Sequence, residues 1–448
     1  MIDISPELVT AIMMGGILVG VLLGYPLAIV VGGIGIVMGI LLFGIDISLE
    51  LIYQRLFRLI NNYILLAVPG FIFMGIMLGY SGITERMFSS LYVWLAGFRG
   101  GLAITTVLLG TILAACVGII GASVTALAII ALPEMVKRGY NKAFASGAVC
   151  AGGTLGILIP PSIMLVVYGP MASLSVGKLF FGAFLPGFML SAMYCTYITI
   201  HSLIKPKIAP GVPVEERAVP WLKKTTDLVT SMLPPAVLIL AVLGSIFFGV
   251  AAPTEAAAVG ALAATLLAVA YRKFSFKILK DTALETVKVT GMVLLIGATA
   301  YAFVGIFIRA GGGDIVEQTI LGAPGGKWGI FAIIMFIVFL LGYFIDWLGI
   351  LFIVVPIITP VGAALGFDPL WFAMMICVNL QTSFLTPPFA YAIFYLRGAA
   401  DPSLGVETGH IIRGVIPYVL LILIGLMLLI RFPQIILWLP GQMITGFK

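Results

Sequence analysis

Apolar runs long enough to enter a bilayer alternate along this chain with short polar loops. Several runs are interrupted by Gly, Ser, Thr or Pro where an unbroken helix would otherwise continue. A span needs about 20 residues to cross roughly 30 Å of hydrocarbon. The pattern predicts helices at 8–24, 26–44, 63–80, 84–98, 101–120, 123–136, 143–159, 162–172 and 183–204. In the second half it predicts 228–250, 256–271, 289–308, 328–345, 348–365, 370–385, 389–400 and 411–432. The stretches 46–62 and 275–288 mix polar and apolar residues at helical spacing and read as amphipathic helices.

The pieces too short to cross fall in two places per half. Residues 100–136 are two apolar helices split at Gly121-Ala122-Ser123-Val124-Thr125. Arg99 at one end and Lys137 and Arg138 at the other put both ends on one side, so the segment reads as a re-entrant hairpin. Its second copy, 328–365, breaks near Ile345-Asp346-Trp347-Leu348-Gly349. A broken helix follows each hairpin: 143–172, interrupted at Gly156 through Pro161, and 370–400, interrupted at Thr382 through Pro388.

The halves repeat each other faintly. A constant spacing of 227 relates Gly70 to Gly297, Pro133 to Pro360, Cys150 to Cys377, Pro160-Pro161 to Pro387-Pro388, Tyr168 to Tyr395, and Gly187 to Gly414. Proline removes a backbone donor and strands carbonyls, which lipid cannot satisfy. A Pro-Pro pair in each half therefore points to a site between the repeats, where broken backbone lines a cavity or an ion.

Composition agrees: 62% of residues are hydrophobic and 9% charged, against about 25% charged in a soluble globule. The expected fold is an all-α polytopic membrane protein with inverted repeats, two re-entrant hairpins and two broken helices. The chain divides into scaffold helices at 1–45, a first repeat at 46–204, a cytoplasmic loop and scaffold helices at 205–272, a second repeat at 273–432 and a tail at 433–448. The first apolar run follows an acidic, lysine-free start and reads as a retained span. With the N-terminus outside, seventeen of the 24 Lys and Arg fall inside, as the positive-inside rule requires. The Lys137-Arg138-Gly139 loop is then cytoplasmic and its cation-free counterpart at 365–368 is outside, so the repeats are inverted. The net charge of +6 suits loops facing anionic membrane lipid and needs no nucleic acid.

Cys116, Cys150, Cys195 and Cys377 lack Cys-x-x-Cys spacing and read as packing residues. His201 and His410 have no ligand-spaced His, Cys or carboxylate, which argues against a transition-metal site or a triad enzyme. The Gly311-Gly312-Gly313 run lacks the Lys-Ser/Thr of a phosphate cradle.

Four strings resemble the large membrane subunit of tripartite ATP-independent periplasmic (TRAP) transporters: Gly153 through Ser162, Ala252 through Ala258, Pro356 through Val361, and Asn379 through Pro388. The resemblance spans nearly the whole chain. It implies a sodium-coupled, elevator-type importer of an organic acid in the bacterial inner membrane, of a fold like the ion transporter superfamily. Residues 46–62 and 275–288 would be arm helices holding the scaffold. It also implies a separate small membrane subunit and a periplasmic substrate-binding protein. A stand-alone sodium–dicarboxylate symporter or ion antiporter of similar repeats is the competing reading. A membrane enzyme is disfavoured by the lack of an intramembrane carboxylate pair.

A helix broken near mid-membrane offers carbonyls to a cation at one end and amides to a carboxylate at the other. The first sodium is expected between Gly121, Ala122, Ser123 and Thr125 and the break at Gly156 and Pro160. The second is expected between Asp346 and Gly349 and the break at Thr382, Ser383 and Thr386. Ser123, Ser162, Thr386, Phe389 and Arg397 are the candidate substrate contacts. The first tip departs from the family's usual Ser-Gly-Ser, and the second break carries Phe389-Ala390 where Val-Gly is usual. Each residue has a plainer role: helix capping for Asp346 and Glu255, interhelical hydrogen bonding for the hydroxyls, an inside-facing anchor for Arg397, and packing for the aromatics.

Overall fold

A computed structural model describes residues 4–118, 120–211, 219–388 and 390–443, leaving aside the side chains of 114–117. Among the described residues there are helices, turns and no strand, and eight helices are long and apolar enough to cross a membrane. In lipid a helix satisfies its own backbone, which is why so apolar a chain takes this form. Polar residues mark the starts: Asn141 accepts from the Ala143 and Phe144 amides at 3.0 and 3.2 Å, and Asp368 accepts from Trp371 N–H at 2.9 Å ahead of Pro369.

The first half runs α1 (Pro6–Leu22), α2 (Leu27–Phe43), the amphipathic α3 (Ile45–Ile60), α4 (Ala67–Tyr80) and α5 (Ile83–Leu95). A hairpin of α6 (Gly101–Val117) and α7 (Ile120–Lys137) follows, then the interrupted pair α8 (Lys142–Thr154) and α9 (Ile163–Met171), and the long α10 (Val176–Ile204). Two helices, α11 (Trp221–Phe247) and α12 (Pro253–Ala270), lead to the second half, α13 (Phe276–Arg309) and α14 (Gly312–Leu321). Its hairpin is α15 (Gly326–Leu341) and α16 (Trp347–Gly349), which passes through a π-helical turn at Ile350–Val354 into α17 (Val355–Ala364). The second interrupted pair is α18 (Pro369–Leu385) and α19 (Tyr391–Ala399), followed by α20 (Thr408–Arg431) and α21 (Gln434–Gly441).

Both Pro-Pro pairs interrupt a helix, as expected from sequence. Leu155–Ile157 winds as a 3-10 turn before the irregular Leu158–Ser162, and in the second pair one helix is capped at Thr386 and the next begins after Ala390. Other boundaries need correction. The first hairpin turns at Gly118, whose φ of +65° suits glycine, and Gly121 through Thr125 lie inside α7. The expected arm at 275–288 and span at 289–308 are one 34-residue helix, α13; Lys288, Val289 and Thr290 include no breaker, and Gly291 alone does not end it. The first arm does separate from its span, because Asn61 and Asn62 intervene and Asn62 accepts the Ile64 N–H at 3.1 Å. Helices α14 and α21 were not anticipated.

Helix α4 and the corresponding part of α13 run in opposite directions. Tyr80, ending α4, donates its hydroxyl to Glu285 at 3.0 Å near the start of α13, whereas Asn62, preceding α4, lines a cavity with Tyr301 and Ile308 near the end of α13. Glu255 accepts the Ala252 N–H at 2.8 Å and caps α12, which is its structural reading.

Candidate functional site

The first hairpin meets the first break through backbone contacts. A side chain on Gly153 would lie 2.4 Å from Val124 Cγ2 and 3.0 Å from the Val124 nitrogen, and one on Gly118 would lie 3.5 Å from the Pro161 carbonyl. Gly156 and Pro160 are buried beside this junction. Because Gly121, Ala122 and Ser123 occupy the first turns of α7, they present amide N–H groups; their carbonyls are engaged in the helix. That is a better setting for an anion than the carbonyl cage expected there. Ser123 is fully buried, and its hydroxyl has no hydrogen-bond partner among the described residues.

The second hairpin meets the second break through a hydroxyl. Ser383 Oγ fills the space a Cβ on Gly342 would take, at 2.0 Å from that position, and has no hydrogen-bond partner among the described residues. Thr382 donates to the Asn379 carbonyl at 2.6 Å and Thr386 to the Thr382 carbonyl at 2.7 Å. With their O–H groups engaged as donors, both hydroxyl oxygens keep lone pairs for a cation. Tyr343 on the turn reaches the Thr386 side chain. Asp346 takes the N-cap position of α16, its carboxylate facing the Trp347 and Leu348 backbone amides. Gly349 lies inside that helix and packs toward α2, where a Cβ would approach Leu27 Cδ2 to 2.5 Å.

The second interrupted helix links the two tips. Tyr395 on α19 packs on Gly121, whose added Cβ would lie 2.8 Å from the ring, and the same tyrosine is within electrostatic reach of Asp346. Sequence reading missed Tyr395 as a contact, although its pairing with Tyr168 was visible. It also missed Gln381, which is fully buried one turn before the break with neither end of its amide partnered among the described residues. A lone glutamine in so apolar a run was the available signal.

Three adjoining cavities of ≈ 470, 270 and 350 Å³ meet at Glu85. The second reaches Ala122 and Ser123 past Tyr80 and Glu285, and the first is lined by Arg86 and Lys224 together with Glu85 and Asp227. The first tip is thus approached through a cleft that carries charges of both signs. Thr125 does not line this approach. Ser162 turns its hydroxyl onto the Ile157 carbonyl. Arg397 donates to the Val406 carbonyl at 2.6 Å beside a ≈ 100 Å³ cavity at Pro387 and Pro388. The substrate candidates Ser123, Ser162 and Arg397 are therefore not gathered in one cleft, and Phe389 lies outside the described residues. No group of three His, Cys, Asp or Glu side chains converges among the described residues, and Cys150, Cys195 and Cys377 are free thiols.

A cleft that leads from one face to buried, unpartnered polar atoms between broken helices belongs to a carrier, and the chain is a multi-pass membrane transport protein. It belongs to the family described as "Tripartite ATP-independent periplasmic transporter, DctM component", whose profile matches residues 14–435. It is 32% identical over 404 residues to the C4-dicarboxylate TRAP transporter large permease protein DctM of Pseudomonas aeruginosa, covering 90% of this chain and 92% of that one. The ectoine/5-hydroxyectoine TRAP transporter large permease protein UehC of Ruegeria pomeroyi is 31% identical, with 93% and 95% covered. These relatives are transporter permeases, not enzymes. The crystal structure of the Alcanivorax borkumensis YdaH transporter shares the fold, with a TM-score of 0.63 at 16% identity over 96% of this chain and 99% of that one.

Proposed function

We propose that this chain is the membrane-embedded core of a binding-protein-dependent importer of the bacterial inner membrane, carrying an organic acid inward with sodium. Relatives named for C4-dicarboxylates support a carboxylate, while relatives named for ectoine and isethionate show that related permeases differ in cargo. The proposed partners are a small membrane subunit and a periplasmic substrate-binding protein. The isethionate relative from Oleidesulfovibrio alaskensis, named DctMQ, is matched over only 66% of its own length by 94% of this chain, which leaves room there for a fused second subunit.

The observation that carries the sodium reading is the unpartnered Ser383 hydroxyl, packed against Gly342 and followed by the Thr386 oxygen. A hard cation takes several oxygens, and the free carbonyls ending α18 supply more. The amides opening α7 beside Ser123 would hold the carboxylate. The elevator reading is that the hairpins and interrupted helices slide as a unit against α3, α4 and α13. With the Lys137-Arg138 loop cytoplasmic, the Glu85 cleft, which extends to Glu134, opens inward.

The test is uptake in vesicles containing both partners. Ser383→Ala and Asp346→Asn should each raise the sodium concentration for half-maximal uptake about tenfold, the cost of one lost ligand of ~1.4 kcal/mol. An unaltered sodium dependence in both variants overturns sodium binding at the second tip.

A further inference from the structure

At the end of the molecule opposite the Glu85 cleft lies a cavity of ≈ 410 Å³ that the transport reading does not use. Asn62 lines it and Tyr80 lines the cleft. The span Tyr63–Tyr80 between them has 18 residues, which at 1.5 Å per residue separates the two by roughly 27 Å. Arg55 and Arg58 of α3, Asn62, Ser173 and Tyr301 supply its polar lining, with Pro170, Phe352 and Pro356 among its apolar neighbours.

Its charge is uncompensated. Arg55 and Arg58 stand three residues apart on one face of α3, where like charges repel. Among the described residues no carboxylate comes within ion-pair distance of either guanidinium; Arg138–Glu134 is the pair found there. Arg55 is held in place, since its stem lies against Gly305, where a Cβ would meet Arg55 Cγ at 2.8 Å. Ser173, in the loop after α9, takes a φ of +54°, a conformation seldom adopted by a residue with a side chain. Two arginines, Asn62, Ser173 and Tyr301 thus line one space, and guanidinium forks with neighbouring amide and hydroxyl groups are the donor set that grips an oxyanion in a bidentate manner.

We infer that this cavity is a second anion site, binding a carboxylate or phosphate group between the first arm helix and the elements α9 and α17. The anion comes either from a free solute arriving at this face or from a phospholipid headgroup. Because the walls come from α3 and α13 on one side and from α9 and the second hairpin on the other, a bound anion ties those elements together at this face.

The site is tested by thiol labelling of the full chain carrying Ser173→Cys, reconstituted in phosphatidylcholine vesicles, with the unsubstituted chain as background for the native cysteines. A sulfonate-bearing methanethiosulfonate should react faster than its trimethylammonium counterpart. Arg55→Gln with Arg58→Gln should lower that rate ratio about tenfold, while Arg58→Lys, which keeps the charge, should retain most of it. Slowing by millimolar succinate or inorganic phosphate identifies a free anion as the occupant. Slowing only when phosphatidylglycerol is added to the vesicles identifies the headgroup. A rate ratio indifferent to the arginine substitutions, to the soluble anions and to phosphatidylglycerol overturns the site.

Discussion

The two hairpins pack against their interrupted helices by different means. In the first unit backbone meets backbone: a Cβ on Gly110 would sit 2.5 Å from the Gly152 carbonyl oxygen, and one on Gly152 3.2 Å from the Thr106 carbonyl oxygen. In the second, rings fill the gap. Trp328, Phe331, Phe367 and Trp371 form a cluster in which Phe331 and Trp371 lie 5.2 Å apart and Phe367 and Trp371 5.3 Å apart, and Asn379 donates to the Met335 carbonyl at 2.7 Å. Small residues let membrane helices approach until backbones touch. Rings hold them apart and fix the spacing through shape. The first junction tolerates no added atom at Gly110, whereas the ring cluster of the second, away from the tight contact of Gly342 with Ser383, tolerates exchange of one large side chain for another.

Three substitutions sharpen that contrast. Gly110→Ala has the largest expected effect, because the atoms in its way are backbone and cannot turn aside; overpacking of this kind costs up to about 3 kcal/mol or more. Thermal unfolding in detergent should show a large loss of stability, and uptake should stop. A stable, active Gly110→Ala protein would mean the two helices are free to separate. Trp371→Phe should cost less, about 1–2 kcal/mol, from the lost hydrogen bond to the Leu429 carbonyl, 3.1 Å long, and some lost area. A loss as large as that of Gly110→Ala would erase the distinction between the junctions. The smallest effect, and of opposite sign, is expected at Ala390, whose φ of +26° disfavours a side chain. Ala390→Gly should stabilise the second break by ~1 kcal/mol, read as a small rise in the unfolding midpoint.

The features most legible in the sequence were those that physics forbids elsewhere. Pro160-Pro161 and Pro387-Pro388 could not continue a helix in lipid, so both breaks were placed correctly. The first turn was assigned three residues late, because Gly121-Ala122-Ser123 is as small and polar as a turn while Gly118 sits among valine and isoleucine. What distinguishes Gly118 is its positive φ, which composition does not reveal. The join in α13 was misread because amphipathicity changes near residue 288 without any residue that would stop a helix. Ser383 and Thr386 stood out as sodium candidates from their place before a proline pair, but the contact of Ser383 with Gly342 depends on tertiary approach. The gathering of Ser123, Ser162 and Arg397 failed for the same reason: proximity to a break in sequence says nothing about which way a hydroxyl or guanidinium turns.

The unbroken course of α13 has a mechanical consequence. At 34 residues and 1.5 Å per residue it is a rod of roughly 51 Å, with Glu285 beside the cleft at one membrane face and Ile308 at the anion cavity on the other. The first half has a joint at Asn61–Asn62, where tilt can be absorbed; the second has none. A tilt imposed at one end of an unbroken rod is carried to its other end, so the helix joins the cleft to the far cavity as one rigid element.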